Sequence, residues 1–369
     1  MIVELMVLIL VRISGSVFLF AVSHQRILVF RPGQLGDTLA ALPALHVLRE
    51  SHPGADIIWL SDRQVGENYV TAEDLLGGSG LVDEFISYDV DPERGRLWRL
   101  KDKMSLAWRL RKRGFDRCAY LAPSLRTEGQ VKRDRAFFWL AGVPDIIGVH
   151  NRGSAEPFRP RCPFASTRVH ETDRLLARLS MEGYEVQAPG EGCMDLGLGE
   201  AERSRVNDWL RDQPDAGGRA WIGVGPGSKM PAKRWSEERY GAVVERLMEA
   251  HDLWPVVLGG GEDREIGERL VKRWGRGYVA AGELGVRPAA EALSRCVLYL
   301  GNDTGTMHLA AAAGTRCVAI FSCRDEPGKW EPYGEGHRVL RAEMECGGCM
   351  KEECQERANA CLRAIRIDE

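Results

Sequence analysis

The sequence predicts an α/β protein with two doubly wound domains that face each other across a central cleft. Short apolar runs alternate with helical patterns, as is typical of parallel sheets covered by helices on both faces. The alternation occurs twice in 369 residues, a length that suits two domains of ordinary size. A stretch rich in Pro, Gly and acidic residues at 186–218 predicts a linker between the two series. Ligands of such domains bind at the carboxyl ends of the strands.

Eight strands follow from the apolar runs, four in each series. They are predicted at 26–31, 56–60, 117–121 and 146–149, and then at 220–224, 255–259, 297–301 and 316–321. The predicted domains cover 26–190 and 215–341, between an apolar segment at 1–25 and a Cys-containing tail at 342–369.

The apolar segment at 1–22 is long enough to suggest a membrane span, but it contains Glu4 and Arg12. A charge at the bilayer centre costs roughly 2.5 to 3.5 kcal/mol, which argues against a span. Three alternatives stay open: a helix on the membrane surface, a helix packed on the protein's own core, or a misassigned start codon.

Composition excludes some classes of function. A net charge of −3 and a pI near 6.3 argue against a nucleic-acid partner. Ten cysteines are too scattered for a small disulfide scaffold, so a reducing, cytoplasmic setting is predicted. Four of them cluster at Cys346, Cys349, Cys354 and Cys361, where zinc binding, reduced structural thiols and a redox-dependent pair all remain alternatives.

The first glycine turn carries a carboxylate. Gly33, Gly36 and Asp37 follow a strand and open a helix, where backbone N–H groups and the helix dipole attract anions. Glycine permits close approach of a ligand. A carboxylate at such a place suggests proton chemistry, with helix capping by Asp37 as the structural alternative.

Two glycine loops in the second series carry charged side chains. The loop "GVGPGSKMPAKRW" at 223–235 contains Lys229 and Lys233, which suit a diphosphate beside exposed N–H groups. The loop "LGGGEDREI" contains Glu262, which can accept hydrogen bonds from ribose hydroxyls or cap the following helix.

The segment "GNDTGTMHLAAAAGT" places polar groups at a further helix start. Thr304, Gly305 and Thr306 offer hydroxyls and unpaired N–H groups at the positive end of the helix. His308 follows within about a turn, and a packed core histidine is its structural alternative.

At these residues the chain resembles glycosyltransferase family nine, the heptosyltransferases of bacterial lipopolysaccharide assembly. The matching segments are "RPGQLGDTLAALPALHVLRE", "GPGSKMPAKRWSEERYGAVVERL", "LGGGEDREI", "GNDTGTMHLAAAAGT" and "DEPGKWEPYG", in the family's order over about residues 26–341. The resemblance implies a GT-B fold of two Rossmann-like domains and inversion at the anomeric carbon. It also implies a nucleotide-sugar donor, typically an ADP-heptose, and neither a cofactor nor a required metal.

The chemistry of transfer assigns roles to these residues. Asp37 can take the proton of an acceptor hydroxyl as general base. Lys233 and the N–H groups at 304–306 can stabilise the departing diphosphate. By resemblance Lys233 and Asp303 belong to the donor site, with Lys229, Glu262 and His308 as further substrate-binding candidates. The loop "SCRDEPGKW" departs from the family's pattern, which leaves another hexose or an amino sugar open as donor.

The segment from Arg94 to Arg117 suggests a membrane partner. It carries ten Lys or Arg against two Asp, and Leu97, Leu100, Met104 and Trp108 recur at helical spacing. A basic amphipathic helix can face an anionic membrane surface, or simply pack on its own sheet. With Arg126, Lys132, Arg133 and Arg135 it would draw the enzyme toward a phosphorylated or lipid-linked glycan acceptor on the inner face of the cytoplasmic membrane.

Two other classes of function stay open. A GT-B nucleotide-sugar epimerase would share the sheets and phosphate loops but would need carboxylates on both sides of the sugar. A non-enzymatic membrane-associated nucleotide-sugar binder would keep the donor loops without needing Asp37.

Overall fold

Two parallel sheets flanking a cleft form the body of the protein in a computed structural model. The structure describes residues 8–13, 16–21, 25–66, 69–91, 93–124, 126–149 and 169–368. Each sheet is covered by helices, which confirms the predicted pair of doubly wound α/β units. The domain boundaries at 26–190 and 215–341 remain predictions.

The apolar N-terminal segment contains two strands, so the predicted helix is wrong over those residues. Strand β1 (Leu8–Ile13) pairs antiparallel with β2 (Ser16–Ala21), with Leu8 opposite Ala21. Val, Ile and Phe dominate both segments, and such residues favour the extended backbone. Among the helices of the described ranges, none combines the length and apolar character needed to cross a bilayer.

The first sheet has five parallel strands in the order β5-β4-β3-β6-β7. Its four predicted strands are confirmed, and β5 is an addition that its mixed polar pattern concealed. The strands are β3 (Arg26–Phe30), β4 (Asp56–Gln64), β5 (Glu84–Val90), β6 (Arg117–Tyr120) and β7 (Asp145–Ile147). The helices are α1 (Leu35–Ala40), α2 (Leu42–Ser51), α3 (Ala72–Leu76), α4 (Arg96–Arg113), α5 (Glu128–Leu140) and α6 (Glu171–Met181).

The second sheet has six parallel strands in the order β10-β9-β8-β11-β12-β13. The four strands predicted here are confirmed as well, and β10 and β13 extend the sheet at its two edges. The strands are β8 (Trp221–Gly225), β9 (Trp254–Val257), β10 (Tyr278–Val279), β11 (Cys296–Asn302), β12 (Cys317–Phe321) and β13 (Arg338–Arg341). The helices are α7 (Glu200–Leu210), α8 (Glu237–His251), α9 (Arg264–Trp274), α10 (Val286–Ser294), α11 (Gly305–Ala312) and α12 (Ala360–Ala364).

Helix α7 lies inside the stretch predicted as a linker, so the 186–218 linker prediction is wrong over that part. Its acidic first turn suits a helix N-terminus, and Val206 and Trp209 are buried. These two apolar positions, three residues apart on one helix face, carry the amphipathic signal that the polar composition masked.

The two halves are tied together by the buried guanidinium of Arg287 on α10. It donates to the carbonyl oxygens of Leu75 and Leu196, each at 3.0 Å, and of Gly197 at 2.9 Å. Its Nε lies 2.6 Å from Glu202 Oε1. Because Leu75 belongs to the first half and Arg287 to the second, this one side chain helps to set the width of the cleft.

We expect Arg287→Ala to destabilise the protein because the change removes all four contacts and leaves Glu202 without its buried partner. Breaking a buried ion pair from one side costs about 3 to 5 kcal/mol. The free energy of unfolding in urea measures the loss. Arg63→Ala is the control, since Arg63 forms an exposed pair with Asp89, and its effect should be much smaller. Equal effects of the two substitutions would contradict a bridging role for Arg287.

Candidate functional site

A cleft of about 1240 Å³ opens between the two sheets at the carboxyl ends of β3, β8, β9 and β11. Ten of the eleven residues that the sequence suggested as site candidates lie along this cleft, and their roles remain predictions. Its lining includes Gly36, Asp37, Lys229, Lys233, Glu262, Asp303, Thr304, Gly305, Thr306 and His308. Gly33 is the one candidate outside the lining, and it acts through Asp37.

Asp37 lies in the first turn of α1, with about a quarter of its side-chain surface exposed. One carboxylate oxygen accepts from the Gln34 N–H at 3.1 Å, so the residue does cap its helix. The other oxygen accepts from Arg31 Nη2, also at 3.1 Å. Asp37 therefore caps its helix and also faces the cleft. Its capping role does not exclude a role in proton chemistry.

Gly33 makes room for this carboxylate. Its φ is +130°, and a Cβ built there would lie 2.4 Å from Asp37 Cγ, so any other residue would collide with it. The Gly33 N–H donates to Asp62 Oδ1 at 2.7 Å, which anchors the turn to the end of β4. Asp62 thus stabilises the glycine turn by accepting this hydrogen bond.

The sequence interpretation missed Arg31, which holds the Asp37 carboxylate, and Glu171, which pairs with Arg31. Arg31 is fully buried and donates through Nη1 to the Leu121 carbonyl oxygen at 2.7 Å. The same Nη1 lies 3.6 Å from the carboxylate of Glu171, which is also fully buried and accepts from the Ser124 N–H at 2.8 Å. One guanidinium therefore joins two carboxylates.

This arrangement shifts the pKa values of both carboxyl groups, Asp37 and Glu171. Burial raises the pKa of Asp37 above its ordinary value, and the charges of Glu171 and Asp62 add to the rise against the opposing effect of Arg31. Burial would also raise the pKa of Glu171, but Arg31, Ser124 and Lys329 together hold it below its usual range. Of the two acids, Asp37 is thus the one adapted to take up a proton.

Lys233 lies across the cleft in a network of buried charges. Its Nζ is 2.7 Å from Asp303 Oδ2 and 3.7 Å from Asp325 Oδ2, and Asp325 also accepts from Arg324 Nη1 at 2.6 Å. Burial raises the pKa of Asp303, and the Lys233 charge opposes that rise. Arg324 and Asp325 were not predicted as site residues, although they lie in the loop whose sequence departs from the family pattern.

Asn302 holds the loop between β8 and α8 in place. Its Oδ1 accepts from the Trp235 N–H at 3.1 Å and the Tyr240 hydroxyl at 2.9 Å. Its Nδ2 donates to the Pro226 carbonyl oxygen at 2.8 Å and, more weakly, to that of Gly227. The buried amide thus fixes the loop after β8 beside Asp303.

Helix α11 begins directly against α1. A Cβ built on Gly305 would lie 3.0 Å from Leu35 Cδ2, and one built on Gly36 would lie 3.1 Å from His308 Cδ2. The first N–H groups of α11 lack intrahelical partners, as in every helix, and they line the cleft. Glycine at both positions therefore lets the turn of Asp37 meet the turn of Thr304.

His308 is a buried neutral imidazole. Burial, with the nearby charges of His170 and Lys233, lowers its pKa to about 3. Its ring stands edge-on to Trp330 at 6.4 Å between centroids. It can exchange hydrogen bonds with a ligand, but it does not supply a positive charge at neutral pH.

The glycine loop after β9 is shaped by Asp263. Its Oδ2 accepts from the Gly260 N–H at 3.0 Å, and Cβ atoms built on Gly227 and Gly259 would collide with its carboxylate. The predicted residue Glu262 also lines the cleft. Asp263 thus explains why glycines occupy both neighbouring loops.

Two of the four clustered cysteines, Cys346 and Cys361, lie beside Cys323. Burial, with the adjacent Cys361 and Cys346 thiols, raises the pKa of Cys323 to about 12. Within the described ranges, no group of three or more His, Cys, Asp or Glu side chains is placed to hold a metal ion. The zinc alternative for Cys346, Cys349, Cys354 and Cys361 therefore has no support in their arrangement.

Comparisons with known proteins agree with this geometry. The sequence profile described as Glycosyltransferase family 9 (heptosyltransferase) matches residues 156–359. The lipopolysaccharide heptosyltransferase 2 of Salmonella typhimurium strain LT2 is 30% identical over 339 residues, which are 86% of this chain and 88% of that protein.

Two solved structures share the fold. A family 9 glycosyl transferase from Veillonella parvula superposes with a TM-score of 0.68 at 21% identity, over 92% of this chain and 95% of that one. The ADP-heptose lps heptosyltransferase II of E. coli gives 0.63 at 21% identity, over 92% and 98%. The two-sheet architecture is thus the GT-B arrangement of these enzymes, and the chain belongs to glycosyltransferase family 9 and is a glycosyltransferase.

Proposed function

We propose that this glycosyltransferase moves heptose from ADP-heptose to a lipopolysaccharide-core acceptor, with inversion at the anomeric carbon. The donor and acceptor are those named for the similar heptosyltransferases from E. coli and Salmonella. One observation carries the mechanism: the carboxylate turn of α1 touches the N-terminal turn of α11 across the cleft.

In this proposal Asp37 acts as general base. The acceptor hydroxyl attacks the anomeric carbon while its proton passes to the Asp37 carboxylate. The raised pKa of Asp37 makes it a better proton acceptor than an ordinary aspartate, and Arg31 keeps it oriented. The bond from the sugar to the diphosphate breaks on the opposite face, so the configuration inverts.

The departing diphosphate gains negative charge during transfer. Lys233, the N–H groups of residues 304–306 and the α11 dipole supply preorganised positive charge at that place. Asp303 and Asp325 position the Lys233 ammonium, Lys229 adds a cation on the same loop, and Glu262 accepts from the ribose. His308 lines the sugar end of the site. This chain's own groups thus supply the leaving-group stabilisation, without a required metal.

We expect Asp37→Asn to abolish turnover while donor binding persists. The amide keeps the size and the capping oxygen but cannot accept the proton, and loss of a general base costs about 10² to 10⁴-fold in kcat. ADP release from ADP-heptose, measured with and without acceptor, reports turnover, and calorimetry reports donor binding.

Asp74→Asn is the matched control for that experiment. Asp74 holds the same third position of a capped helix and lines the same cleft, but it lies on α3 and has no Arg31 partner. Its turnover should stay within about threefold of the original. Retained turnover in Asp37→Asn would place the base elsewhere.

Lys233→Met should lower kcat by about 10²-fold, the usual effect of removing one donor to a developing charge. ADP affinity should fall as well, because the ammonium faces the diphosphate in the ground state too. Steady-state kinetics and ADP titration measure the two effects. Lys233→Arg keeps the charge beside Asp303 and should recover part of the activity, whereas equal losses in both variants would indicate a structural role only.

Glu171→Gln should move the acid limb of kcat/KM to lower pH. Asp37 must be ionised to act, so activity falls as pH drops through its pKa, and the Glu171 charge is one cause that raises this pKa. Removing that charge lowers the pKa of Asp37 and extends activity toward acid. A pH profile checks the shift, with Glu182→Gln as the control, since Glu182 accepts from the Gly148 N–H and is not one of the charges that raise the pKa of Asp37. A limb that moved upward or stayed in place would contradict the coupling.

A further inference from the structure

The first half of the protein exposes one concentrated apolar surface, which we call the α4/α5 face. It comprises seven of the thirteen large hydrophobic side chains that are exposed in the described ranges. They are Leu97, Trp98, Leu100, Met104 and Trp108 of α4, and Trp139 and Leu140 of α5. Leu97 is 81% exposed and Trp139 is 75% exposed, so neither packs on the core.

Helix α4 presents two separate apolar stripes. Leu106, Ala107 and Leu110 are buried and pack on the sheet. The exposed stripe, from Leu97 through Met104 to Trp108, lies roughly 120° around the helix from the buried one at 100° per residue. The exposed stripe therefore has no role in holding α4 to its own sheet, and the alternative of simple self-packing accounts for the other stripe only.

The charges around this stripe are almost all positive. The segment 94–117 carries a local net charge of +8 in a chain whose overall net charge is −3. Lys101 Nζ lies 4.9 Å from the ring centroid of Trp98, and Lys112 Nζ lies 3.7 Å from that of Trp108. Exposed tryptophans flanked by lysines are typical of segments that lie at a membrane–water interface.

The α4/α5 face also begins close to the cleft. Helix α4 follows β5, so it starts at the edge of the sheet where the strands end and the cleft opens. It extends about 27 Å toward the opposite edge at 1.5 Å per residue. There Arg111 Nη1 donates to the Leu140 carbonyl oxygen at 3.2 Å, which joins α5 to the same surface. The face thus runs from the cleft to the outer edge of the first half.

We propose that the α4/α5 face docks on an anionic phospholipid bilayer. The Trp and Leu side chains enter the interfacial layer, and the surrounding Lys and Arg side chains contact the lipid phosphates. Charge complementarity selects this occupant over a second copy of the chain, because two such faces would repel each other. This deepens the proposed function, since docking would hold the Asp37 side of the cleft beside a lipid-linked acceptor.

Sedimentation with lipid vesicles tests the docking. The full chain is mixed with vesicles of phosphatidylethanolamine and phosphatidylglycerol, or of phosphatidylcholine alone, and the bound fraction is measured. We expect binding to the anionic vesicles only, and a loss of at least tenfold in partitioning when salt rises from about 0.05 to 0.5 M, because salt screens surface charge. A double variant, Trp98→Ser with Trp108→Ser, should also lose about tenfold or more.

Val297→Ser is the matched control, because Val297 is an exposed apolar residue on the second half, and it should bind as the original does. Unchanged binding of the tryptophan variant would overturn the proposal, as would equal binding to neutral vesicles. Light scattering that showed a dimer abolished by the tryptophan changes would overturn it in favour of a second copy. ADP titration of every variant separates the two hypotheses: a failed donor site abolishes ADP binding, whereas a failed docking face leaves it intact.

Discussion

The contact on which the site depends is the buried guanidinium of Arg31 between Asp37 and Glu171. A lone buried cation would be costly, and two carboxylates beside one cation leave an excess of negative charge. The excess falls on Asp37, because Glu171 is stabilised by the Ser124 donors and Asp37 is not. The Arg31 contact fixes the Asp37 side chain in place, whereas burial and the charges of Glu171 and Asp62 make it more basic against the opposing effect of Arg31. Position and basicity therefore have different physical origins.

The wall of the cleft at Lys233 also has one cation between two carboxylates, but there a second cation is present. Lys233 lies beside Asp303 and Asp325, and Arg324 pairs with Asp325, so the net charge of these four side chains is close to zero. A diphosphate entering there would meet cations that are already oriented. Asn302 makes this possible, since its four hydrogen bonds hold the loop of Lys233 beside the end of β11, directly before Asp303.

The sequence predicted the parts of the site that lie within one turn of a strand end, and it missed those brought together over distance. Asp37 was proposed because a strand, a glycine turn and a helix start are adjacent in the chain, whereas Asp303 was proposed from the resemblance to the family. Glu171 is distant from Arg31 in the sequence, and no local pattern at either residue indicates that the two form an ion pair. Arg31 itself lies directly before the glycine turn. An Arg between a buried strand and a helix that starts with an acidic residue was the sequence signal that could have identified it.

The missed elements have local causes. Strand β5 carries polar residues on an edge of the sheet, so it lacked the continuous apolar run used to find its neighbours. Helix α7 was concealed by acidic composition, and the N-terminal strands were mistaken for a helix because a uniform apolar run has no readable period.

The alternation of side chains along β3 relates the cleft to the α4/α5 face. Ile27 and Val29 belong to the core cluster shared with the second half, whereas Leu28 and Phe30 belong to the cluster under α4 and α5. Because successive side chains point to opposite faces, the helices that build the cleft and the helices that form the α4/α5 face lie on opposite sides of one sheet. Occupying the outer face therefore leaves the contact between α1 and α11 unobstructed.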